Sequence, residues 1–163
     1  MTKLKSEGIE VLYYGGYHTE LGLIVRQMRA QGMDTMVMSG DAINTLEYWA
    51  ITGDSGEGTI FTASPAIETD PRNADLVKYF DEIGYKPEGY TLFTYGAIQA
   101  WAQAANKAGS TDFEPVVDAL HSEKFDTVLG EISFDAKGDV DAPGYWIYTW
   151  KDGQYTDGAI QNP

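Results

Sequence analysis

The order of strand-like and helix-like segments constrains the fold of this chain more than any other feature. Residues 9–14 form an apolar, β-branched and aromatic run that predicts a buried strand, and residues 35–38 and 58–63 predict two further strands. Apolar residues recur at helical spacing over 21–32, and a second helix is predicted over 44–53. A strand–helix–strand–helix–strand order implies parallel pairing with right-handed crossovers, so we expect an α/β fold.

Local signals mark the ends of some of these elements. Asn44 with Glu47 three residues later is typical of a capping box, in which Asn44 opens the second helix. Residues 2–7 are typical of the last turns of a helix, with Gly8 in the left-handed position that commonly ends one. We therefore expect a chain that opens on the end of a helix and lacks what came before it.

The second half of the chain has a different order of predicted elements, with helices first and strands after them. The predicted elements are helices over 71–84, 90–108 and from Thr111 or Asp112, then strands over 128–134 and 145–150 and a hairpin turn at 151–153. Large aromatic side chains dominate packing, so several are predicted to lie in the core. They are Tyr13, Tyr14, Trp49, Trp101, Trp146 and Trp150.

Composition argues against several classes of partner and site. The 163 residues include 25 acidic and 11 basic side chains, a net charge of −14, and there is no basic cluster with interleaved aromatics. Such a chain repels phosphate, so neither nucleic acid nor an anionic membrane surface is an expected partner. No cysteine is present, which excludes disulfides and thiolate metal sites. The first eight residues lack an apolar segment, so no export signal is expected in the chain as written.

Several blocks of sequence resemble the branched-chain amino-acid-binding proteins of the Leu/Ile/Val type. Tyr13-Tyr14-Gly15-Gly16-Tyr17 is similar to a family signature in which a strand ends and leads into a helix containing Arg-Gln-x-Arg. The similarity runs in order along essentially the whole chain. The blocks are residues 13–18, 26–29, 38–41, 94–97, 126–130 and 134–139.

The resemblance implies a fold, a function and a location. The family fold is a bilobed type I periplasmic binding protein with Rossmann-like parallel sheets and flanking helices, and this chain resembles its C-terminal part. By alignment, residues 1–63 belong to the second lobe, 64–147 to the first lobe, and 148–163 cross back and return to the second. The implied role is the periplasmic solute-binding component of an ABC importer for aliphatic amino acids, with the permease as partner and without a cofactor. A complete member is roughly twice as long, so the N-terminal half, with the first half of both lobes, is expected to be missing.

Three residues are candidates for ligand contact. Tyr17 follows two glycines at the carboxyl end of a strand, where open α/β sheets bind ligands, and the resemblance places it against the amino acid. Asp41 follows the second strand, and the matching family position accepts the ligand's α-ammonium through a charge-assisted hydrogen bond. Tyr90 aligns with an aromatic residue that covers the ligand in the family. A turn aromatic, a helix cap and a staple to the preceding loop are the purely structural alternatives for Tyr17, Asp41 and Tyr90.

The remaining polar candidates favour structural roles. His18 and His121 are the only histidines and do not have the spacing of a metal site. We expect His18 to hydrogen-bond at a helix start and His121 to sit near a helix C-terminus. The acids Asp135, Asp139 and Asp141 do not fit the calcium-loop pattern, so a solvated turn is predicted there.

Two other classes compete with amino-acid binding. An enzyme using paired carboxylates is not expected, because no nucleophile elbow, phosphate loop or dinucleotide fingerprint is present. A non-functional or self-assembling fragment is the stronger alternative, since half of a bilobed protein should expose apolar surface that drives association, including a swapped homodimer.

Overall fold

The computed structural model describes residues 1–141 and 144–157. The chain divides into two compact units, Met1–Pro65 with Gly144–Pro163, and Ala66–Pro143. The assignment of residues 1–63, 64–147 and 148–163 to family lobes stays a prediction. Of the predicted return over 148–163, residues 158–163 lie outside the described part of the chain.

The first unit is built on a five-stranded sheet in the order β1 (Val11–Tyr14), β2 (Met36–Ser39), β3 (Ile60–Ala63), β6 (Trp146–Lys151) and β7 (Gln154–Asp157). The strands β1, β2 and β3 are parallel, as the alternation of strands and helices predicts. The strand β6 pairs antiparallel with β3, and β7 pairs antiparallel with β6, so the sheet is mixed at one side.

Three helices of the first unit pack against one face of this sheet. They are α1 (Thr2–Ser6), α2 (His18–Ala30) and α3 (Leu46–Thr52), and two 3₁₀ turns, Asp41–Ile43 and Gly53–Gly56, complete the connections. The predicted apolar stripe of α2 is confirmed, because Leu21, Val25 and Met28 are fully buried in the core. Partly buried Met1 and Leu4 of α1 pack against the same core cluster.

The prediction that β1 is a buried strand is wrong. Val11 and Tyr13 are 56% and 67% exposed, and Met36 beside them on β2 is 51% exposed. The reason is that Leu12 and Tyr14 face the core cluster that the helices cover, whereas Val11 and Tyr13 alternate with them and point to the opposite face of the sheet.

The start of α3 also differs from the prediction. The cap is Thr45 rather than Asn44, since the Thr45 hydroxyl accepts a hydrogen bond from the Glu47 amide at 3.3 Å. Asn44 instead lies at the end of the preceding 3₁₀ turn. A hydroxyl one residue closer to the helix takes the capping role that the spacing of Asn44 and Glu47 had indicated.

The second unit consists of helices and a small hairpin. The helices are α4 (Ala74–Glu82), α5 (Thr91–Ala108) and α6 (Phe113–Ser122), and the hairpin pairs β4 (Phe125–Thr127) with β5 (Gly130–Ile132). The predicted single strand over 128–134 is therefore wrong at its start, because Gly130 at φ +95° reverses the chain after Thr127. The core of this unit gathers small residues of α5 against α6 and the hairpin, with Phe125 fully buried.

Predicted turns and histidine positions agree with the structure. Asp152 and Gly153 have φ values of +50° and +79°, which is the conformation of a tight β6–β7 hairpin. The Asp135 carboxylate accepts hydrogen bonds from the amides of Lys137 and Asp139, and the turn around it is exposed. His121 lies in the last turn of α6, 2.9 Å from the Asp135 carbonyl.

The aromatic core is smaller than predicted. Trp150 is fully buried and stacks near Trp49 at a centroid distance of 6.0 Å. By contrast, Tyr13, Trp101 and Trp146 are 67%, 49% and 49% exposed, so they do not belong to the core of either unit. The exposure of an aromatic side chain depends on what packs against it, which a residue's type alone does not reveal.

Candidate functional site

Two parallel strands of the first unit end side by side. Tyr14 at the end of β1 is the register partner of Ser39 at the end of β2. The Ser39 hydroxyl is buried and donates to the Tyr14 carbonyl at 2.9 Å, which ties the two strand ends together. The segments that follow, with Tyr17 and Asp41, thus start from neighbouring points on the carboxyl edge of the sheet, the usual place for a ligand in an open α/β sheet.

Tyr17 projects from the start of α2. Its backbone is extended, with φ −89° and ψ 163°, and it occupies the N-cap position of the helix. The side chain is 71% exposed, so its ring and hydroxyl are open to a ligand. Gly16 before it lies against the Tyr14 ring, where an added Cβ would come within 2.6 Å of the Tyr14 hydroxyl. Close packing at Gly16 therefore fixes the path of the chain into Tyr17.

Asp41 is held by the turn that leaves β2. It is the first residue of the 3₁₀ turn Asp41–Ile43, and its carbonyl accepts the Asn44 amide at 2.9 Å. Ile43 two residues on is fully buried and anchors the turn in the core. Asp41 itself is partly buried, so its carboxylate sits on a backbone whose position the core determines.

A second polar layer lies beside these residues and was only partly visible in the sequence. His18 Nε2 is 2.8 Å from Glu47 Oε2, which links the first turns of α2 and α3 and gives His18 the predicted helix-start contact. Asn44 Oδ1 is buried without a hydrogen-bond partner among the described residues. Neither Glu47 nor Asn44 was predicted to belong near the site, because their positions depend on how α3 packs and not on a motif.

The side chains of Tyr17 and Asp41 suit a small organic molecule that carries an ammonium group and an apolar part. A carboxylate accepts hydrogen bonds from an ammonium group, and a tyrosine ring offers both an apolar face and a hydroxyl. Within residues 1–141 and 144–157, no cluster of three or more metal-ligating side chains occurs.

A groove of the first unit lies at the amino ends of the strands, opposite Tyr17 and Asp41. It has a volume of about 410 Å³ and is lined by the segments that precede β1 and β2, including Glu10, Asp34 and Thr35. Lys5 at its rim donates to the Gln31 carbonyl at 2.6 Å. This groove is at the amino ends of the strands, so it does not contain Tyr17 or Asp41.

Tyr90 belongs to the second unit. It precedes α5, and its carbonyl accepts the Thr94 amide at 2.9 Å. Gly89 before it has φ +61°, a left-handed turn that starts the helix abruptly. The Tyr90 side chain is 55% exposed.

A sequence model of the family described as periplasmic binding protein matches residues 1–154. The chain belongs to this family. Leu/Ile/Val-binding protein homolog 1 of Brucella suis is 46% identical over 159 residues, which are 95% of this chain and 43% of that protein. The leucine-, isoleucine-, valine-, threonine- and alanine-binding protein of Pseudomonas aeruginosa is 37% identical over 96% of this chain and 43% of its own length.

Solved structures of periplasmic binding proteins share the fold. A leucine-binding protein from Thermotoga maritima superposes with a TM-score of 0.83 at 26% identity, covering 99% of this chain and 47% of that one. A branched-chain amino acid transporter substrate-binding protein from Streptococcus pneumoniae, solved with isoleucine, gives 0.78 at 23% identity, over 94% and 45% of the two chains. The fold is thus that of part of a type I periplasmic binding protein, as the sequence predicts.

The family is one of periplasmic solute-binding proteins and not of enzymes, which agrees with the sequence-based expectation. The chain corresponds to a C-terminal part of a branched-chain amino-acid-binding protein and spans less than half the length of the curated relatives it matches. In the part of the chain that the structure describes, none of the helices has the length and apolar character to cross a bilayer.

Proposed function

We propose that the carboxyl ends of β1 and β2, together with Tyr17 and Asp41, form part of a binding site for an aliphatic amino acid. We call this region the Tyr17–Asp41 edge. The observation that carries this proposal is the register of β1 and β2, which starts the Tyr17 and Asp41 segments from paired residues at the carboxyl edge of the sheet. Asp41 accepts the α-ammonium and Tyr17 contacts the ligand with its ring or hydroxyl. Tyr90 is a further ligand contact, supported by the family resemblance. The relatives are Leu/Ile/Val-binding proteins, which supports an aliphatic side chain.

In this proposal the chain acts within a longer solute-binding component of an ABC importer in the periplasm. Alone it binds weakly. One partly exposed carboxylate and two exposed phenols hold only one end of an amino acid, and an exposed ion pair contributes only about 0–1 kcal/mol. The remaining contacts, including those to the ligand's carboxylate, come from the polypeptide that the longer relatives have in addition.

The test joins this chain to the additional N-terminal part of the Brucella suis relative and titrates the product with leucine, isoleucine and valine by calorimetry. We expect saturable binding, and Asp41→Asn should weaken it about 10- to 100-fold, because a charge-assisted hydrogen bond is worth about 1.5–3 kcal/mol. Asp34→Asn is the matched control, since Asp34 is an exposed acid at the amino end of the same strand. Equal effects of the two substitutions, or no binding by the joined protein, would contradict the proposal.

Self-association is the second candidate, and one observation favours it. The first unit exposes Val11, Tyr13 and Met36 on one sheet face, and apolar surface of this kind drives association. Light scattering distinguishes the two candidates: a single species at the chain mass of 17.9 kDa excludes a homodimer.

A further inference from the structure

Two side-chain contacts join the segments that carry Tyr17 and Asp41. The inner one is the hydroxyl-to-carbonyl hydrogen bond between the ends of β1 and β2. The outer one joins the starts of α2 and α3, where His18 Nε2 lies 2.8 Å from Glu47 Oε2. In chain order, Tyr17 and Asp41 therefore lie between a contact at the strand ends and a contact at the helix starts.

The start of α2 needs the outer contact more than the start of α3 does. Among the described residues, Tyr17 occupies the N-cap position of α2 without making a side-chain capping hydrogen bond. The chain before it is loosely packed at Gly15, where no atom lies within 4 Å of the position of an added Cβ. By contrast, the Thr45 hydroxyl caps α3. Because an uncapped first turn frays readily, a link from His18 to the capped start of α3 restrains the backbone at Tyr17.

The chemistry of the contact requires a hydrogen-bond donor at one position of the His18 ring. The Glu47 carboxylate only accepts hydrogen bonds, so Nε2 carries the proton in either charge state of the imidazole. A positive charge is unfavourable at the start of a helix, and the carboxylate beside His18 offsets it. The two side chains are 24% and 75% exposed, which makes this a partly shielded contact.

We infer that His18 and Glu47 are positioning residues of the amino-acid site, and that their contact holds the Tyr17 segment in register with the Asp41 segment. This inference rests on the proposed function. Neither side chain needs to touch the ligand. The contact acts by ordering the site before the ligand arrives, which reduces the ordering cost of binding.

Substitution of His18 in the chain joined to the N-terminal part of the Brucella suis relative tests this role. In His18→Gln the amide nitrogen takes about the position of Nε2, whereas in His18→Asn it takes that of Nδ1 and does not reach Glu47. We expect His18→Asn to weaken leucine binding about two- to five-fold and His18→Gln by less than about 1.5-fold, as measured by calorimetry. Both variants carry a neutral amide at the same helix position, so a general effect on folding would appear in both.

Two further variants make the titration specific. Glu47→Ala should weaken leucine binding as much as His18→Asn does, and the double variant should bind no more weakly than either single variant, because both substitutions remove one contact. Lys5→Ala is the control. Lys5 joins α1 to the end of α2 through the Gln31 carbonyl at 2.6 Å, at the amino ends of the strands, and its loss should leave the affinity unchanged.

Hydrogen exchange without ligand separates this inference from the proposed function. The Leu21 amide donates to the Tyr17 carbonyl at 3.2 Å. In this chain it should exchange at least about threefold faster in His18→Asn than in the parent or in His18→Gln. A joined parent protein that does not bind leucine would contradict the proposed function and this inference together. Equal leucine affinity of the parent and both His18 variants would overturn the inference alone, and so would equal exchange of the Leu21 amide in all three.

Discussion

At the residue scale, the two glycines before Tyr17 have different tasks. Gly16 lies against the ring of Tyr14, whereas no atom lies within 4 Å of the position that a Cβ would take on Gly15. Neither has a positive φ, so the difference between them is one of space and not of backbone strain. The Tyr-Tyr-Gly-Gly-Tyr motif therefore combines one packing glycine with one that leaves the loop open to a ligand.

This difference gives a prediction for the pair. Gly16→Ala should lower the free energy of unfolding by about 1–3 kcal/mol, since the Tyr14 ring must move out of its place beside the core. Gly15→Ala should change it by less than about 0.5 kcal/mol. Urea denaturation of the two variants and the parent chain provides the measurement. A Gly15→Ala variant that is as unstable as Gly16→Ala would show that backbone freedom, and not packing, is what the motif requires.

At the element scale, β1 is an edge strand that side-chain hydroxyls fasten at both ends. Thr35 Oγ1 donates to the Ile9 carbonyl at 2.8 Å where the strand begins, and Ser39 Oγ donates to the Tyr14 carbonyl at 2.9 Å where it ends. Both hydroxyl-bearing residues are buried. These two hydrogen bonds add to the backbone ladder that holds β1 to β2, the only described strand with which β1 pairs.

We predict that Ser39→Ala and Thr35→Val each cost about 1–2 kcal/mol of stability, because each leaves a strand-end carbonyl without a buried donor. Both should also speed amide exchange in β1 more than in β2 or β3. Ser6→Ala is a suitable control, as its hydroxyl makes an exposed contact with the Lys3 carbonyl within α1. If Ser6→Ala and Ser39→Ala lower the stability by the same amount, the hydrogen bond from the Ser39 hydroxyl does not hold β1 in place.

The strands, helices and turns also show how far the sequence predicts the structure. Periodicity located the parallel strands, the helices and the β6–β7 turn, because these depend on local spacing. The exposure of Val11 and Tyr13 was not predictable, since it depends on what packs on their face of the sheet. The β4–β5 hairpin was missed because Gly130 and the Thr127 hydroxyl, which accepts the Leu129 amide, form a turn inside an apolar run.

The candidate site was predictable in part for a related reason. Tyr17 and Asp41 follow strands whose order predicts that their carboxyl ends are neighbours, and the register of β1 and β2 agrees with this. The buried Ser39 hydroxyl and the contact between His18 and Glu47 depend on packing between elements distant in sequence. Whether Tyr17, Asp41 and Tyr90 contact a ligand stays a prediction, which the Asp41→Asn titration addresses.

At the scale of the whole molecule, the chain has parts of a binding protein but spans less than half of its relatives' length. Tight binding of an amino acid requires partners for both its ammonium group and its carboxylate. The Tyr17–Asp41 edge offers a charged partner, the Asp41 carboxylate, for the ammonium group only. An open site also leaves water to compete for that acceptor. Affinity should therefore depend on contacts beyond those that the Tyr17–Asp41 edge provides.

We accordingly expect no binding of micromolar or better affinity when the chain alone is titrated with leucine, isoleucine or valine. A micromolar dissociation constant requires about −8 kcal/mol, far more than one exposed ion pair and a few apolar contacts supply. Calorimetry or ligand-observed NMR measures this directly, with the full-length Brucella suis relative as a positive control. Tight binding by the chain alone would mean that this chain already holds the whole amino acid, and the remainder of the relatives would then serve stability and transport rather than capture.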